Sequence, residues 1–169
     1  MGDVFKEQLV KRMPTRKDAL IKFGIISGCL LIAVIALALI PGFLPIIVGV
    51  MGFVLFYVFG MMKKEFEYII TNGELDIDCI YGKARRRRKF SCDVRQALIL
   101  AHAGNRDAEH ELKAAEVVMD LGSGAVNENT WHLLAAQGGK RIKVIFEPNE
   151  MMFNAIKSYI SPRKIYKKL

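Results

Sequence analysis

Residues 23–62 have the sequence FGIISGCLLIAVIALALIPGFLPIIVGVMGFVLFYVFGMM, which contains no Asp, Glu, Lys or Arg. The whole chain has 169 residues, of which 52% are hydrophobic and 25% charged, and its formal charge is +8. A single soluble domain does not need 40 consecutive uncharged residues in its core, and a disordered chain would be poor in apolar residues. The separation of apolar from charged residues therefore predicts a membrane protein.

The apolar run is long enough for two membrane crossings, since one spanning helix needs about 20 residues. The segment Pro41-Gly42-Phe43-Leu44-Pro45 divides the run with residues that favour a turn. One long helix is disfavoured because the prolines and the glycine would break it in the middle. We predict a transmembrane helical hairpin over 23–62, with spans at 23–40 and 43–62.

Basic residues flank the run on both sides and indicate its orientation. Six precede the first span and two, Lys63 and Lys64, directly follow the second, whereas the loop between the spans is uncharged. Basic flanks remain cytoplasmic, so we predict a multi-pass protein of the cell membrane with both termini in the cytoplasm. A cleaved signal peptide is disfavoured because the first span is too long and no A-x-A site precedes the second.

Residues 1–22 form a basic N-terminal segment that also carries apolar residues. We predict a short amphipathic helix at the membrane interface, interrupted at Met13-Pro14, with an apolar side made of Val4, Phe5, Leu9, Val10 and Met13. Thr15 and Asp18 have the spacing of a capping box, which predicts the start of the first spanning helix.

Glycines in the two spans favour close helix packing. Gly24 and Gly28 form a G-x-x-x-G pattern in the first span, and Gly49 and Gly52 lie in the second. The packing is expected within the hairpin, with self-association into a homo-oligomer as the alternative. The spans contain no carboxylate, Lys or His, so a transport pathway made by this chain alone is not expected.

Residues 63–169 are predicted to form one cytoplasmic domain rich in β-strands. Asn72-Gly73 is a strong signal for a hairpin turn, and Gly82-Lys83 predicts a second turn. Residues 101–114 show no clean period. Seven strands are predicted from alternation and turn residues, at Phe66–Thr71, Glu74–Ile80, Arg85–Cys92, Ala97–Ala101, Ala115–Leu121, Thr130–Gln137 and Arg141–Phe146.

Two-residue loops at both turns fix a register for the first three predicted strands. On the polar face Asp76 is expected to meet Lys89 and Asp78 to meet Arg87, and each such pair contributes a few tenths to about 1 kcal/mol. The register also separates Cys79 from Cys92, so no disulfide is expected. The opposite, apolar face comprises Phe66, Tyr68, Ile70, Leu75, Ile77, Cys79 and Phe90.

The chain is predicted to end in an amphipathic helix that starts at Pro148 or Asn149 and stops at Pro162. Apolar residues recur there at helical spacing and form one stripe, namely Met152, Ala155, Ile156, Tyr159 and Ile160.

Two segments of the cytoplasmic part resemble a known family. Tyr68-Ile69-Ile70-Thr71-Asn72-Gly73-Glu74-Leu75 looks like the opening of bacterial pleckstrin-homology-like (PH-like) domains. Lys143-Val144-Ile145-Phe146-Glu147-Pro148-Asn149-Glu150 is similar to a segment of an uncharacterised family of small Firmicutes membrane proteins, with two transmembrane helices and a PH-like cytoplasmic domain. The resemblance covers nearly the whole chain.

The resemblance implies a fold and no specific activity. The implied fold is that of an α+β membrane protein, in which the transmembrane hairpin precedes a seven-stranded bent β-sheet or partly open barrel capped by a C-terminal helix. Eukaryotic lipid-binding members carry basic residues around the first hairpin, whereas here they follow the second turn. Phosphoinositide binding is therefore not carried over.

The basic run Arg85-Arg86-Arg87-Arg88-Lys89 is the most unusual stretch of the cytoplasmic part. The first predicted strand leaves the membrane at Lys64 without a linker and the second returns, so the turn at Gly82-Lys83 is expected near the bilayer. With Arg87 and Lys89 paired to acids, Arg85, Arg86 and Arg88 are expected to contact anionic lipid headgroups. The alternative is a solvated edge strand kept soluble by its charge. Nucleic-acid binding is disfavoured because Phe90 is expected in the core and not free to stack on bases.

No catalytic, metal or cofactor motif is evident, and no enzyme activity is expected. The three cysteines and three histidines lack metal-ligand spacing. Leu121-Gly122-Ser123-Gly124-Ala125 lacks the spacing of a nucleophile elbow, and the glycines at 122 and 124 lack the third glycine of a dinucleotide-binding loop. These residues are expected to form a loop between strands.

The sequence thus favours a membrane-anchored binding or scaffolding protein. Its PH-like domain is expected to contact anionic lipid headgroups or a protein partner at the inner leaflet, without cofactors. The alternative is a small accessory subunit of a channel, transporter or secretion complex that acts through its transmembrane hairpin.

Overall fold

The computed structural model describes residues 5–167. The chain divides into two compact units, each considered by itself. The helical unit comprises Pro14–Lys64 together with the short segment Tyr81–Ala84. The β unit comprises the residues up to Met13, Glu65–Ile80 and the residues from Arg85 on.

The helical unit is a hairpin of two apolar helices, as predicted. Helix α1 covers Arg16–Leu39 and helix α2 covers Leu44–Met61, with a 3₁₀ turn at Pro41–Phe43 between them. Both helices are long and apolar enough to cross a membrane. The predicted capping box is confirmed, because the Asp18 amide donates to the Thr15 hydroxyl and the Thr15 amide donates to the Asp18 carboxylate.

The N-terminal segment does not form the predicted amphipathic helix. Residues Phe5–Lys11 form strand β1, which pairs antiparallel with strand β2 at Lys64–Thr71. The helix prediction is wrong because so short a helix gains little from its own hydrogen bonds, whereas the edge of β2 supplies a full set of partners. Val4, which the prediction placed on the helix, lies outside the described residues.

The two membrane-type helices are therefore inserted between consecutive strands of one sheet. This sheet has the order β1-β2-β3-β4, with β3 at Glu74–Tyr81 and β4 at Arg85–Asp93. Both predicted turns are two-residue loops with positive φ, 51° and 94° at Asn72-Gly73 and 57° and 61° at Gly82-Lys83. Such type I′ turns match the twist of the strands that they join.

A second sheet has the order β6-β8-β7-β5-β9. Its strands are β5 at Ile99–His102, β6 at Val117–Asp120, β7 at Trp131–Gln137, β8 at Lys140–Phe146 and β9 at Ile165–Tyr166. A strand is present at each of the seven predicted positions. The predicted count of seven is too low for residues 5–167, because β1 and the two-residue β9 add to it.

The core of the β unit lies on the predicted apolar face of the first sheet. All seven residues assigned to that face are buried, and Tyr68, Ile70, Leu75 and Ile77 have no exposed surface. Helix α4 covers Glu150–Lys157, begins at an Asn149 cap, and buries Met152, Ala155 and Ile156. Helix α3 at Glu109–Lys113 occupies the stretch without a predicted period and buries Leu112.

The cysteines are free thiols in the structure. Cys79 is 1% exposed. Burial raises the pKa of the Cys92 thiol to about 12, with smaller contributions from nearby carboxylates, Asp93 first. Both features suit unreactive structural thiols, because the thiolate is the reactive form.

Candidate functional site

The turn between β3 and β4 lies against the C-terminal end of α2. The Gly82 amide donates a hydrogen bond of 2.9 Å to the Lys63 carbonyl. A Cβ at position 82 would lie 3.1 Å from the Met61 Cα, which is closer than most Cβ contacts. The φ angle of Gly82 is +57°, which also disfavours a residue with a side chain. The Lys64 ammonium lies 5.9 Å from the centre of the Tyr81 ring. The turn that was expected near the bilayer is thus in contact with the end of the second helix.

Strand β4 begins directly after this turn and forms an edge of the first sheet. Its first five residues, Arg85–Lys89, are all basic and all exposed. An edge strand of this kind resists pairing with other chains because its charges repel. The same charges make it the most basic surface segment of the β unit.

Two of these arginines form ion pairs with acids on the polar face of the sheet. Arg86 Nη2 donates to Glu67 Oε1 over 2.7 Å, and Arg86 Nε lies 4.0 Å from Asp78 Oδ2. Arg88 Nη2 lies 2.9 Å from Asp76 Oδ2, and Arg88 Nε lies 3.2 Å from Asp78 Oδ1. Glu67 and Asp78 are only 3% and 4% exposed, so the arginines compensate carboxylates that have lost most of their water.

The predicted pair of Asp78 with Arg87 is therefore wrong, because Asp78 pairs with Arg86 and Arg88. Asp76 pairs with Arg88, and its predicted pair with Lys89 stays a prediction. Strict alternation counted back from the buried Phe90 places Arg88 on the apolar face, yet its guanidinium reaches the acids of the polar face. Alternation along β4 therefore does not reveal which of its arginines reach the acids of the neighbouring strands.

The pairing divides the basic strand into two sets. Arg86 and Arg88 are engaged by acids of their own sheet, whereas Arg85 and Arg87 are exposed and form no salt bridge within residues 5–167. Arg85 and Arg87 therefore keep their charge available for an external anion. Of the three arginines that the sequence assigned to lipid, only Arg85 belongs to this second set.

Replacing Arg86 should destabilise the protein much more than replacing Arg85. Arg86→Ser leaves the buried Glu67 carboxylate without its cation, at an expected cost of about 1–3 kcal/mol because the guanidinium itself is half exposed. Arg85→Ser removes an exposed charge without a partner in the described chain, and should change stability by less than about 0.5 kcal/mol. Urea unfolding followed by fluorescence of the single tryptophan, Trp131, measures both. Equal urea midpoints for Arg86→Ser and Arg85→Ser would contradict the stabilising role of the ion pair between Arg86 and Glu67.

A second polar cluster joins the N-terminal strand to the loop that follows β6. We call Arg12, Asp120, Ser123 and Glu147 the N-terminal clamp. Arg12 Nη1 lies 2.8 Å from Asp120 Oδ1 and donates to the Gly122 carbonyl over 3.0 Å. The Met13 amide donates to the Ser123 carbonyl over 2.8 Å. The end of β1 is thus held by side-chain and backbone contacts together.

Glu147 organises the buried side of the clamp. Its Oε1 accepts hydrogen bonds of 2.8 Å from both the amide and the hydroxyl of Ser123. A Cβ at Gly122 would lie 2.7 Å from the same oxygen, so only glycine fits there. The role of the Gly122-Ser123-Gly124 segment, which matches no catalytic motif, is to wrap this carboxylate.

Tyr68 and Gln8 extend the clamp into the core and the helix start. The buried Tyr68 hydroxyl donates to the Leu121 carbonyl over 2.7 Å and accepts from the Glu147 amide at 3.2 Å. Burial is the main cause that raises the pKa of Tyr68. The Gln8 side chain donates to the Glu147 carbonyl and accepts from the Asn149 amide. No local sequence pattern reveals the clamp, because Arg12 is more than 100 residues from its partners and Glu147 is 24 residues from Ser123.

The glycines of the helical hairpin have open space beside them. A Cβ added at Gly24, Gly28, Gly49 or Gly52 meets nothing within 4 Å outside its own helix. The two helices are in contact, and Ala36 of α1 is buried. A packing role for these glycines, within the hairpin or in self-association, stays a prediction.

Metal-binding geometry is absent from the part of the chain that the structure describes: residues 5–167 contain no group of three or more His, Cys, Asp or Glu side chains suited to a metal ion. The buried His102 is engaged structurally, since its Nδ1 accepts from the Gly104 amide at 3.0 Å and its Nε2 lies 2.8 Å from the Glu128 carbonyl.

Two apolar helices, a β unit of two sheets and a C-terminal helix define an α+β protein with a PH-like domain and two candidate membrane spans. The chain belongs to the bacterial PH-like domain family DUF6106, whose model matches residues 2–167. This confirms the family resemblance inferred from the sequence. No curated protein and no solved structure matches the chain. PH-like domains are typically non-catalytic domains that bind lipids or proteins.

Proposed function

We propose that this protein is a membrane-anchored binding protein whose PH-like domain contacts anionic lipid headgroups at the inner leaflet. The observation that carries the proposal is the hydrogen bond from Gly82 to Lys63. It attaches the β3–β4 turn to the end of a helix that is apolar enough to span the bilayer, and the basic strand starts at Arg85, two residues after Lys83.

The basic residues that we propose for the headgroup surface are Arg85 and Arg87 on β4, and we propose headgroup contact separately for Lys63 and Lys83 at the helix end. All four side chains are exposed. A basic residue near an anionic membrane surface contributes about 1 kcal/mol. Arg86 and Arg88 were predicted from the sequence to contact lipid, but we do not include them because their guanidinium groups form ion pairs with Glu67, Asp76 and Asp78. We include Arg87 in their place.

The proposed layout differs from the sequence-based division into residues 1–22, 23–62 and 63–169. Strand β1 belongs to the β unit, so we assign residues 5–13 and 64–167 to one PH-like domain and residues 14–63 to a membrane hairpin inserted in it. With both termini in the cytoplasm, as the basic flanks favour, the whole PH-like domain lies on the cytoplasmic side of the membrane.

Proximity of the β3–β4 turn to headgroups tests the proposal. A nitroxide label at Lys83→Cys in the full chain, reconstituted in bilayers with nickel-chelating headgroups, should be relaxed much more strongly than a label at Gln137→Cys. Gln137 is the control because it is an exposed residue at the end of β7, next to an open turn. Equal relaxation at both positions would contradict headgroup contact by the turn.

A second candidate function is that of an accessory subunit that acts through its helices. The observation that favours it is the open space beside Gly24, Gly28, Gly49 and Gly52, which lets another helix approach closely. Purification in mild detergent followed by mass spectrometry distinguishes the two functions. Under the alternative, a stoichiometric membrane partner is lost when the four glycines become leucine. Under the proposal, no partner depends on them.

A further inference from the structure

The loop that follows β6 presents one apolar side chain to solvent. Val126 is 82% exposed, the largest exposed fraction among the large apolar side chains in the described part of the chain. The amide of the preceding Ala125 donates to Ser123 Oγ over 3.3 Å, and the amide of the following Asn127 donates to Thr130 Oγ1 over 2.8 Å. The backbone is therefore held on both sides of Val126, so its exposure is not that of a loose loop tip.

Both ends of this loop are fixed to buried groups. The Ser123 amide and hydroxyl donate to the Glu147 carboxylate, and the Glu128 carbonyl lies 2.8 Å from Nε2 of the buried His102. A loop that is already ordered loses little conformational entropy when it binds. A single exposed valine needs no explanation by itself, so the meaning of Val126 depends on where the loop lies.

The loop lies against the residue that leads out of β1 toward the first helix. The Met13 amide donates to the Ser123 carbonyl over 2.8 Å, and the Met13 side chain is 57% exposed. Asp120, which precedes the loop, is paired with Arg12 at 2.8 Å, so its negative charge is compensated. Met13 and Val126 are thus two exposed apolar side chains in one region of the β unit.

Met13 is separated from the first helix by a very short stretch of chain. Helix α1 begins at Arg16, and three residues span at most about 11 Å. Within the hairpin, the Lys22 ammonium lies 5.8 Å from the centre of the Phe59 ring, so the two helices are at a similar level there. Arg16 lies about 9 Å before Lys22 and Lys63 lies about 6 Å after Phe59, at about 1.5 Å for each helical residue. Helix α1 therefore starts near the level at which α2 ends.

We propose that residues 124–126 and Met13 form an apolar contact with the bilayer beside the start of α1, at the boundary between headgroups and acyl chains. This contact rests on the proposed function, which places the end of α2 at the headgroups of the inner leaflet. Apolar side chains next to basic residues suit this boundary, and Arg16 and Lys17 are the first two residues of α1. Because the adjacent helix keeps the loop at the membrane, even a contact too weak to bind vesicles by itself forms in the full chain.

Fluorescence quenching in the full chain tests this contact. Val126→Cys is labelled with a bimane in detergent and reconstituted in neutral lipid that carries a nitroxide near the top of its acyl chains. Cys79 is buried, burial raises the pKa of the Cys92 thiol, and Cys29 lies in the first span, so the unsubstituted chain supplies a small labelling background. We expect the label at position 126 to lose most of its fluorescence, because it lies in contact with the lipid chains.

Leu98→Cys is the matched control, because Leu98 is also apolar and is 38% exposed. It precedes β5, at the end of the β5–β7 ladder that lies away from the loop, so its label should keep its fluorescence. Equal quenching at positions 126 and 98 would overturn the apolar contact. If the Lys83→Cys label is still relaxed by the headgroups in that case, only the loop contact fails, whereas loss of both signals would refute the proposed function as well.

Discussion

Deleting residues 5–13 is expected to abolish cooperative unfolding of the β unit. Strand β1 pairs with β2 along seven residues, from Phe5–Thr71 to Lys11–Glu65, and its end carries the clamp contacts of Arg12 and Met13. Removing it exposes the edge of β2 and leaves the Tyr68 and Glu147 region without Gln8. The loss should exceed about 5 kcal/mol, which is comparable to the whole stability of many domains.

The effect of deleting β1 on unfolding is best measured in a chain that lacks the membrane helices. Lys11 and Glu65 are direct neighbours in the ladder, so a linker of about six Gly and Ser residues can replace residues 14–63. The chain with β1 and this linker should unfold cooperatively in urea, while residues 65–169 alone should not. Cooperative unfolding of residues 65–169 alone would show that β1 is not part of the domain.

Replacing Glu147 by alanine should produce the second large effect. Oε1 of Glu147 is the acceptor for both the amide and the hydroxyl of the buried Ser123. The cost is about 2–4 kcal/mol, because the buried amide loses its acceptor and the hydroxyl keeps only a long contact of 3.5 Å to the Ala125 carbonyl. The urea midpoint of the full chain in detergent, followed by Trp131 fluorescence, reports the change.

Glu147→Gln is the matched control for this prediction. Glutamine keeps a carbonyl oxygen at nearly the same place, so it should cost less than about 1 kcal/mol. If Glu147→Ala and Glu147→Gln destabilise equally, the carboxylate charge rather than the two hydrogen bonds holds the clamp, and the role assigned to Ser123 is wrong.

Local sequence signals located most of the secondary structure. The uncharged run with its Pro-Gly break predicts the two helices, and Asn72-Gly73 and Gly82-Lys83 predict two turns because few other residue pairs adopt positive φ there. The alternation around these turns also predicts the buried face, from Phe66 to Phe90. These features depend on residues close together in the chain, which is why a single sequence reveals them.

The features that local signals missed depend on distant parts of the chain. Strand β1 is a strand only because β2, more than 50 residues later, supplies its partners. The ion pairs of Arg86 and Arg88 join β4 to acids on β2 and β3, and alternation along β4 does not reveal them. Tertiary context overrides local preference in both places, and the ion pairs decide which arginines we propose for headgroup contact.

Vesicle binding tests the central claim most directly, using the soluble chain in which a short linker replaces residues 14–63. We expect it to co-sediment with vesicles containing anionic lipid and not with neutral vesicles. The double variant Arg85→Ser and Arg87→Ser should bind about 30-fold more weakly, from about 1 kcal/mol for each charge. The control, Lys140→Ser with Arg141→Ser, removes two exposed charges from β8 and should bind like the wild type. Equal binding by the two double variants would contradict a headgroup surface on β4.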